Sequence, residues 1–232
     1  MSNEPGRAIV TGSSSGIGLA IAGSLLAQGW QVRGFDVAAP RLDHPAFEAV
    51  QVDLCDGDAA QAAARAASDA TALVHAAGVL RVAKLGSLQP QDTQLMWRLH
   101  VEALIRIADV VVPAMAARRG GRVVLIGSRV AQGMAGRSQY AATKAALIAL
   151  ARSWASEVVA AGVTVNVVSL AASQTAMLDD PARQTEAPKL PPLGRLIHPD
   201  EIAALVGFLL SPQAGAITGQ DIQICGGASL PR

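Results

Sequence analysis

Short apolar runs alternate with longer helical patterns along the whole chain. Runs of strand length occupy residues 7–11, 31–36, 49–53, 72–76, 121–128, 163–170 and 221–225. Helical patterns lie between them, at residues 16–28, 58–67, 92–115, 139–161 and 199–210. Regular alternation of strand and helix is typical of a parallel sheet with helices on both faces. Because such crossovers are right-handed, the pattern predicts an α/β fold, a doubly wound (Rossmann) parallel sheet of seven strands.

Length and composition favour a single domain over residues 1–232. A chain of 232 residues suits one α/β domain, and 51% hydrophobic residues can supply its core. The one irregular stretch, residues 178–192, is rich in Pro, Gln and Asp. We expect it to be a mobile substrate loop, although a surface loop without function fits the same composition.

Charge and cysteine content argue against several classes of protein. The net charge is +1 and aromatic residues make up 3%, so neither a nucleic-acid footprint nor an anionic membrane patch is indicated. No apolar run approaches the ~18 residues needed to span a bilayer, and the N-terminus has no signal pattern. Cys55 and Cys225 fit no metal or CxxC spacing. We therefore expect a cytoplasmic protein with inert thiols and no metal site.

A glycine-rich turn joins the first strand to the first helix. Its sequence is Thr11-Gly12-Ser13-Ser14-Ser15-Gly16-Ile17-Gly18. Glycines let the backbone turn sharply and approach a pyrophosphate, while the helix N-terminus offers unpaired N–H groups. Since a strand precedes the turn and a helix follows it, the pattern predicts a dinucleotide site. The residues assigned to this part of the site are Gly12, Ser14, Ser15, Gly16, Ile17 and Gly18.

Acidic residues at strand ends indicate where the adenosine half of a coenzyme would lie. Asp36 ends the second strand, where a carboxylate can accept hydrogen bonds from the ribose hydroxyls. The same carboxylate would repel the 2′-phosphate of NADP, so the sequence predicts NAD as the coenzyme. Asp53 is expected to end the third strand, beside the adenine.

A hydroxyl, a phenol and an ammonium group are predicted to meet over the cleft. Tyr140, the only tyrosine, and Lys144 lie about one helical turn apart on the same face. Ser128 ends the fifth strand, at the edge where open α/β sheets bind ligands. A Tyr-x-x-x-Lys pair alone is common in helices, and the conjunction with the turn at Gly12 makes it specific.

With these residues in place, the sequence resembles the short-chain dehydrogenase/reductase family over essentially its whole length. Some segments look like sugar and polyol dehydrogenases, and others like 2,3-dihydro-2,3-dihydroxybenzoate dehydrogenases. The matching segments are the turn at 11–18, Asp53-Leu54, Ala76-Ala77-Gly78, Ser128, Tyr140-x-x-x-Lys144, Asn166, Thr175, Gly194-Arg195, 217–220 and Gly226-Gly227.

The resemblance implies an NAD-dependent oxidoreductase that interconverts a secondary alcohol and a ketone, with a sugar, polyol or cyclic diol as substrate. Tyr140 would be the general acid/base, and Ser128 would bind the substrate oxygen. Lys144 would bind the nicotinamide ribose and lower the pKa of Tyr140. The remaining coenzyme contacts would come from Leu54, Ala76, Ala77, Gly78 and Thr175. Relatives also imply a homotetramer, built on the long helices that bear Trp97 and Trp154.

Several residues depart from the family pattern. His100 stands where the family usually has an Asn that helps to hold a water near the active-site lysine. We assign it to the catalytic set, with simple helix packing as the alternative. His75 replaces another Asn and is expected to be a partly buried strand residue bonded to backbone. Leu170-Ala171 replaces the usual Pro-Gly.

These departures leave other functions open. One is a nucleotide-binding regulator with weakened catalysis, against which the intact Ser-Tyr-Lys set argues. Another is a nucleotide-sugar epimerase or dehydratase, against which the few residues after Gly227 argue. Arg81 and Arg129 lie near the expected cleft mouth, where each could bind a substrate carboxylate or hydroxyls or could simply be solvated.

Overall fold

A computed structural model describes residues 6–175 and 190–231. The strands of this part are β1 (Arg7–Thr11), β2 (Gln31–Asp36), β3 (Phe47–Gln51), β4 (Ala72–His75), β5 (Gly121–Ser128), β6 (Val163–Leu170) and β7 (Asp221–Ile224). Its α-helices are α1 (Gly16–Ala27), α2 (Gly57–Ala66), α3 (Pro90–Trp97), α4 (Ala103–Ala117), α5 (Ser138–Val158) and α6 (Pro199–Leu210). None of these helices is long and apolar enough to cross a membrane.

The strands form one sheet in the order β3-β2-β1-β4-β5-β6-β7, and every neighbouring pair is parallel. The strand order reverses at β1, which lies between β2 and β4. In open α/β sheets the crevice at such a reversal, at the carboxyl ends of the strands, is where ligands bind. The predicted doubly wound parallel sheet is confirmed, and its switch point lies beside Thr11 and His75.

Two apolar layers hold the helices against the sheet. Successive side chains of a strand point to opposite faces, so Ile9 and Val10 enter different layers. The layer of Ile9 includes Ile107 of α4 and Leu147 of α5, while the layer of Val10 includes Ile21 of α1 and further residues of α6. Helices therefore cover both faces, as the alternating pattern predicts.

The third strand lies two residues earlier than predicted. β2 ends at Asp36, which pairs with Gln51, so the ladder of this edge strand ends there. Asp53 consequently does not end a strand: it lies in the following turn, where its carboxylate accepts a 2.8 Å hydrogen bond from the N–H of Cys55. The predicted strand position of Asp53 is wrong because the partner strand, rather than the apolar run, sets where pairing stops.

The long helix predicted over residues 92–115 is interrupted. α3 ends at Trp97, and Arg98–Glu102 form a π-helical turn before α4 begins. A single π-turn inserts one extra residue into the helix and is frequent at functional sites. Here the turn contains His100, which is fully buried.

The loop predicted over residues 178–192 lies outside the described residues except for its last three. Of these, Pro191 lines the cleft described below. The mobile substrate loop and the assignment of residues 1–232 to one domain therefore stay predictions.

Candidate active site

The turn after β1 can be made only with glycine at two of its positions. Gly12 has a φ of +71°, and a Cβ there would lie 2.9 Å from the backbone N of Ala77. A Cβ on Gly18 would overlap the carbonyl oxygen of Gly12. The close packing of α1 against the turn and the end of β4 therefore requires both glycines.

The N-terminus of α1 keeps its donors available. Ser15, the exposed N-cap residue, makes no side-chain capping hydrogen bond, and the first turn of the helix contains no acidic residue. The first N–H groups of a helix have no intrahelical partner and attract anions. Together with the absence of a Cβ at Gly12 and Gly18, this arrangement fits the pyrophosphate of a dinucleotide.

The Asp36 carboxylate is fixed at the end of β2 by two backbone donors. The N–H of Ser14 donates to Oδ2 at 2.9 Å, and the N–H of Ala38 donates to Oδ1 at 2.9 Å. Arg33 is engaged elsewhere, because its guanidinium donates to Glu48 at 2.6 Å and to Asp69 at 2.9 Å. Both carboxylate oxygens of Asp36 still have lone pairs for ribose hydroxyls.

A buried network joins the ends of β1 and β4. The hydroxyl of Thr11 accepts from the N–H groups of Ala76 and Ala77, each at 3.1 Å, so its own proton goes to Nδ1 of His75 at 3.0 Å. His75 is thus fully buried rather than partly buried. Its ring is bonded to the side chain of Thr11, and the backbone of Leu99 and His100 also interacts with it. Burial, with the charge of Lys144 adding to it, lowers the pKa of His75 to about 3, so the ring is neutral.

Ser128, Tyr140 and Lys144 line one cleft of about 190 Å³. The Ser128 hydroxyl accepts from the N–H of Val130 at 3.2 Å. Lys144 Nζ donates to the carbonyl of Ile126 at 2.9 Å and lies 5.7 Å from the centre of the Tyr140 ring. Burial lowers the pKa of Lys144 to about 8, which leaves the ammonium form in the majority at neutral pH.

Both ring nitrogens of His100 are engaged beneath this cleft. Nε2 accepts from the N–H of Val79 at 2.9 Å, so Nδ1 carries the proton and donates to the Thr143 hydroxyl at 2.8 Å. Thr143 in turn donates to the carbonyl of Tyr140 at 2.8 Å, and the His100 ring meets the Tyr140 ring edge-on with centroids 5.6 Å apart. Burial first, and then the charge of Lys144, hold the pKa of His100 well below its usual value.

The hydrogen bonds of His100 favour its packing alternative over the expected water-holding role. Neither nitrogen is left to bind a water while the bonds to Val79 and Thr143 persist. His100 does lie beside the lysine, since a Cβ on Gly78 would contact both His100 Nε2 at 3.1 Å and Lys144 Nζ at 3.7 Å. Its assignment to the catalytic set stays a prediction.

The other predicted contact residues fall into two groups. Ile17, Ala76, Gly78 and Thr175 line the cleft of Ser128 and Tyr140, and Gly16 approaches Thr175 from the turn. Asp53 and Leu54 follow β3, beyond Asp36, where Asp53 is exposed and Leu54 is buried in the core. Their contact with a coenzyme stays a prediction.

Sequence reasoning did not single out several residues that line the cleft, among them Met134, Arg137, Ser173 and Ala228, whereas Pro191 belongs to the predicted substrate loop. Arg137 could have been inferred from its position, three residues before Tyr140 at the start of the same helix. Nothing local in the sequence points to Ala228, which reaches the cleft because the chain turns back after β7. Within the part of the chain that the structure describes, no group of three or more His, Cys, Asp or Glu residues could hold a metal ion.

A glycine turn at the switch point of a doubly wound sheet, beside a Ser, a Tyr and a Lys in one cleft, defines a nucleotide-dependent oxidoreductase. Comparisons with known proteins agree with that class. A family model described as enoyl-(acyl carrier protein) reductase matches residues 12–229. The 2,3-dihydro-2,3-dihydroxybenzoate dehydrogenase of Escherichia coli K12 is 35% identical over 95% of this chain and 96% of its own.

Two further comparisons extend over nearly the whole chain. The 3-oxoacyl-[acyl-carrier-protein] reductase of Vibrio cholerae is 33% identical over 98% of each chain. A solved structure of a short chain dehydrogenase/reductase family protein superposes with a TM-score of 0.90 at 35% identity, over 98% of each chain. The chain belongs to the short-chain dehydrogenase/reductase family, whose members are oxidoreductases of alcohol and ketone groups with nicotinamide coenzymes.

Proposed function

We propose that this protein is an NAD-dependent dehydrogenase that interconverts a secondary alcohol and a ketone, with Ser128, Tyr140 and Lys144 as its catalytic residues. The supporting observation is that these three side chains line one cleft, which also contains Ile17 at the N-terminus of α1. The bound coenzyme supplies the group that accepts a hydride in oxidation and donates one in reduction.

Tyr140 moves the substrate proton. In oxidation the Tyr140 phenolate takes the hydroxyl proton of the alcohol while the carbon loses its hydride, and in reduction the phenol returns that proton to the ketone oxygen. Lys144 Nζ lies 5.7 Å from the centre of the Tyr140 ring, and a full positive charge roughly 6 Å from a phenolate favours it by about 3 kcal/mol at an effective dielectric constant near 20. That amounts to a factor of roughly 100 in its population at a given pH.

Ser128 orients the substrate oxygen. Its hydroxyl oxygen already accepts the N–H of Val130, so the hydroxyl proton remains free to point at a ligand. A donor placed there stabilises the partial negative charge on the carbonyl oxygen during hydride transfer. Lys144 keeps donors beyond the one bonded to Ile126, and these can reach the hydroxyls of the nicotinamide ribose.

His100 is proposed to position Tyr140 rather than to move protons. It connects the segment at Val79 with Thr143, which is bonded to the backbone of Tyr140 itself. The π-helical turn brings the imidazole to this place, and its two hydrogen bonds hold the ring in one tautomer. The edge-on contact with the Tyr140 ring then limits how the phenol can tilt.

The choice of NAD is supported by Asp36. A 2′-phosphate at the end of β2 would lie against a carboxylate that Ser14 and Ala38 hold in place. Repulsion at ~4 Å costs roughly 4 kcal/mol per charge pair at an intermediate dielectric constant. Arg33 is held in ion pairs with Glu48 and Asp69, so it does not compensate.

The substrate is proposed to be a small sugar, polyol or cyclic diol. This class is suggested by the segments of the sequence that resemble sugar and polyol dehydrogenases and 2,3-dihydro-2,3-dihydroxybenzoate dehydrogenases. Two similar proteins bear the names of a dihydrodiol dehydrogenase and a 3-oxoacyl reductase, so a ring or a short acyl chain is the first choice for assays.

A homotetramer is proposed from the apolar groove between α4 and α5. Exposed or half-exposed apolar side chains line it, among them Ile105, Pro113, Trp154 and Val158. Apolar surface of this kind on two neighbouring helices indicates a contact between subunits. The cytoplasmic location expected from the sequence stays a prediction.

The proposed function is tested by coenzyme-linked turnover. Purified protein is offered cyclic diols, aldoses, polyols and the corresponding ketones, with NAD, NADP and their reduced forms. We expect a change in absorbance at the nicotinamide band with at least one secondary alcohol or ketone, and its loss in Tyr140→Phe. If no substrate is turned over although NADH binds, the chain is a nucleotide-binding regulator instead.

A further inference from the structure

The charges that line the cleft are all of one sign. Among the described residues around it, the ionisable side chains apart from Tyr140 are Arg129, Arg137 and Lys144, and none is an aspartate or a glutamate. Lys144 is accounted for by its bonds and by its part in the proposed chemistry. The two arginines are not used by hydride transfer, and they lie on the side of the cleft formed by the segment between β5 and α5.

Only some of the hydrogen-bond donors of the Arg129 guanidinium have a partner. One guanidinium nitrogen donates to the carbonyl of Ala228 at 3.0 Å, which ties the C-terminal segment to the cleft wall. Its Nε is buried and has no hydrogen-bond partner among the described residues. This nitrogen is shielded from the cleft, so what Arg129 can offer a ligand there is the guanidinium N–H donors that the bond to Ala228 leaves over.

The guanidinium of Arg137 has all of its N–H donors available. Its backbone is fixed, because its N–H donates to Met134 and its carbonyl accepts from Ala141 at the start of α5. Its half-buried side chain makes no hydrogen bond or ion pair with any residue in the ranges 6–175 and 190–231. A guanidinium in this setting offers a flat pair of donors that matches a carboxylate.

We propose that the substrate carries a carboxylate, which Arg137 and Arg129 bind while its alcohol or ketone carbon lies at Ser128 and Tyr140. The proposal rests on the proposed function, because it names the substrate class of the same cleft. Apolar side chains also line the cleft, among them Leu80, Val130 and Met134. Among the substrates proposed above, the lining therefore favours a carboxylate-bearing alcohol or ketone with an apolar body over a neutral sugar or polyol.

The experiment compares hydroxy acids with their neutral amides. The probes are 3-hydroxycyclohexane-1-carboxylate and 3-hydroxybutyrate, each beside its carboxamide, with NAD in excess. We expect kcat/KM of the native enzyme to be at least tenfold higher for an acid than for its amide. Arg137→Gln should lower kcat/KM for the acid more than for the amide and so abolish most of that preference. Arg152→Gln, at an exposed position of α5, is the matched control and should leave both values unchanged.

A binding measurement separates failure of this proposal from failure of the proposed function. Cyclohexanecarboxylate and cyclohexanecarboxamide are titrated by calorimetry into the protein saturated with NADH. Tighter binding of the acid that is lost in Arg137→Gln supports the anion site even if no alcohol is turned over. Equal turnover of acids and amides, with no effect of Arg137→Gln, overturns the carboxylate and leaves the oxidoreductase intact. Neither turnover nor binding of the acid overturns both.

Discussion

The hydroxyl of Thr11, at the end of β1, donates a 3.0 Å hydrogen bond to Nδ1 of His75, the residue opposite it at the end of the neighbouring strand β4. This places a neutral imidazole under the floor of the cleft, where its Nε2 has no partner among the described residues. A protonated ring would lose the bond from Thr11 and would stand near Lys144, whose charge already lowers the pKa of His75. Folding therefore selects the neutral form.

The first prediction is acid destabilisation. The folded pKa of His75 is about 3 and its ordinary value is 6.5, so between these values the unfolded chain binds more protons than the folded one. The free energy of unfolding that the neutral His75 contributes is fully present above pH 6.5. Below that pH it falls by up to about 1.4 kcal/mol per pH unit for each such histidine. His100 shifts in the same direction. The measurement is the free energy of unfolding in urea from pH 7.5 to 5, and the slope of this free energy against pH is compared with the expected one.

His75→Asn isolates the contribution of His75, because an amide oxygen can still accept from Thr11. We expect a shallower dependence of stability on pH between 6.5 and 5 in this variant than in the native protein. Identical slopes in His75→Asn and the native protein would contradict the neutral buried imidazole.

The second prediction concerns the proposed catalytic residues. Tyr140→Phe should lower kcat by ~10²–10⁴-fold, since it removes the group that transfers the proton. Ser128→Ala should lower it by ~10–10³-fold, since it removes one donor to the substrate oxygen. Both variants should bind NADH within a few-fold of the native protein in a fluorescence titration. Ser156→Ala, exposed on α5, is the control and should keep full activity.

The third prediction concerns the coenzyme. The native enzyme should prefer NAD over NADP by ~10²-fold or more in kcat/KM, because of the repulsion at Asp36. Asp36→Asn keeps the shape and removes the charge, so kcat/KM with NADP should rise at least tenfold. Asp43→Asn, at an exposed position nearby in sequence, should leave kcat/KM unchanged with both NAD and NADP. Equal kcat/KM for both coenzymes in the native enzyme would refute the assignment of Asp36.

The fourth prediction concerns assembly. Light scattering at micromolar concentration should give four times the mass of one chain. Ile105→Glu introduces a charge into the groove beside Trp154 and should reduce the mass to that of a dimer or monomer. Val37→Glu, at a position that is 64% exposed away from that groove, should leave it unchanged. A native monomer at this concentration would exclude the tetramer.

The sequence was sufficient where local patterns decide the structure. The bounds of β2, β5 and α6 agree with the predicted ones, because each of these segments is bounded by polar residues, a glycine or a proline. The π-helical turn at His100 could not be foreseen, since the apolar period on both sides of it is that of an ordinary helix. His100 is instead held there by hydrogen bonds with the backbone N–H of Val79 and the hydroxyl of Thr143, which are distant in sequence.

In the candidate site, too, local sequence patterns place some residues, while contacts distant in sequence place others. Ser128, Tyr140 and Lys144 could be placed together because a strand end and a helix start define where they point. The cleft-lining position of Ala228 depends on how the residues after β7 fold back, which no local pattern encodes. The hydrogen bonds of His100 with Val79 and Thr143 could not be foreseen either, because both partners are distant from it in sequence.

The last prediction separates two roles for His100. A proton relay requires His100 to titrate in the working range, so its replacement would remove one ionisation from the pH profile of kcat. A positioning role requires only its two hydrogen bonds, and burial already keeps its pKa well below the usual value. We therefore expect His100→Ala to lower kcat by ~10–10²-fold and to lower the melting temperature, while the ionisations of the kcat profile stay as in the native enzyme.

His100→Gln and Thr143→Val complete the test. The amide introduced by His100→Gln can accept from Val79 through its oxygen and donate to Thr143 through its nitrogen, so this variant should recover most of kcat although it cannot carry a proton. Thr143→Val removes the acceptor of the Nδ1 proton and should imitate His100→Ala if the ring acts by position. A fully active Thr143→Val enzyme beside an inactive His100→Gln enzyme, with one ionisation missing from the kcat profile, would show instead that the imidazole itself transfers protons.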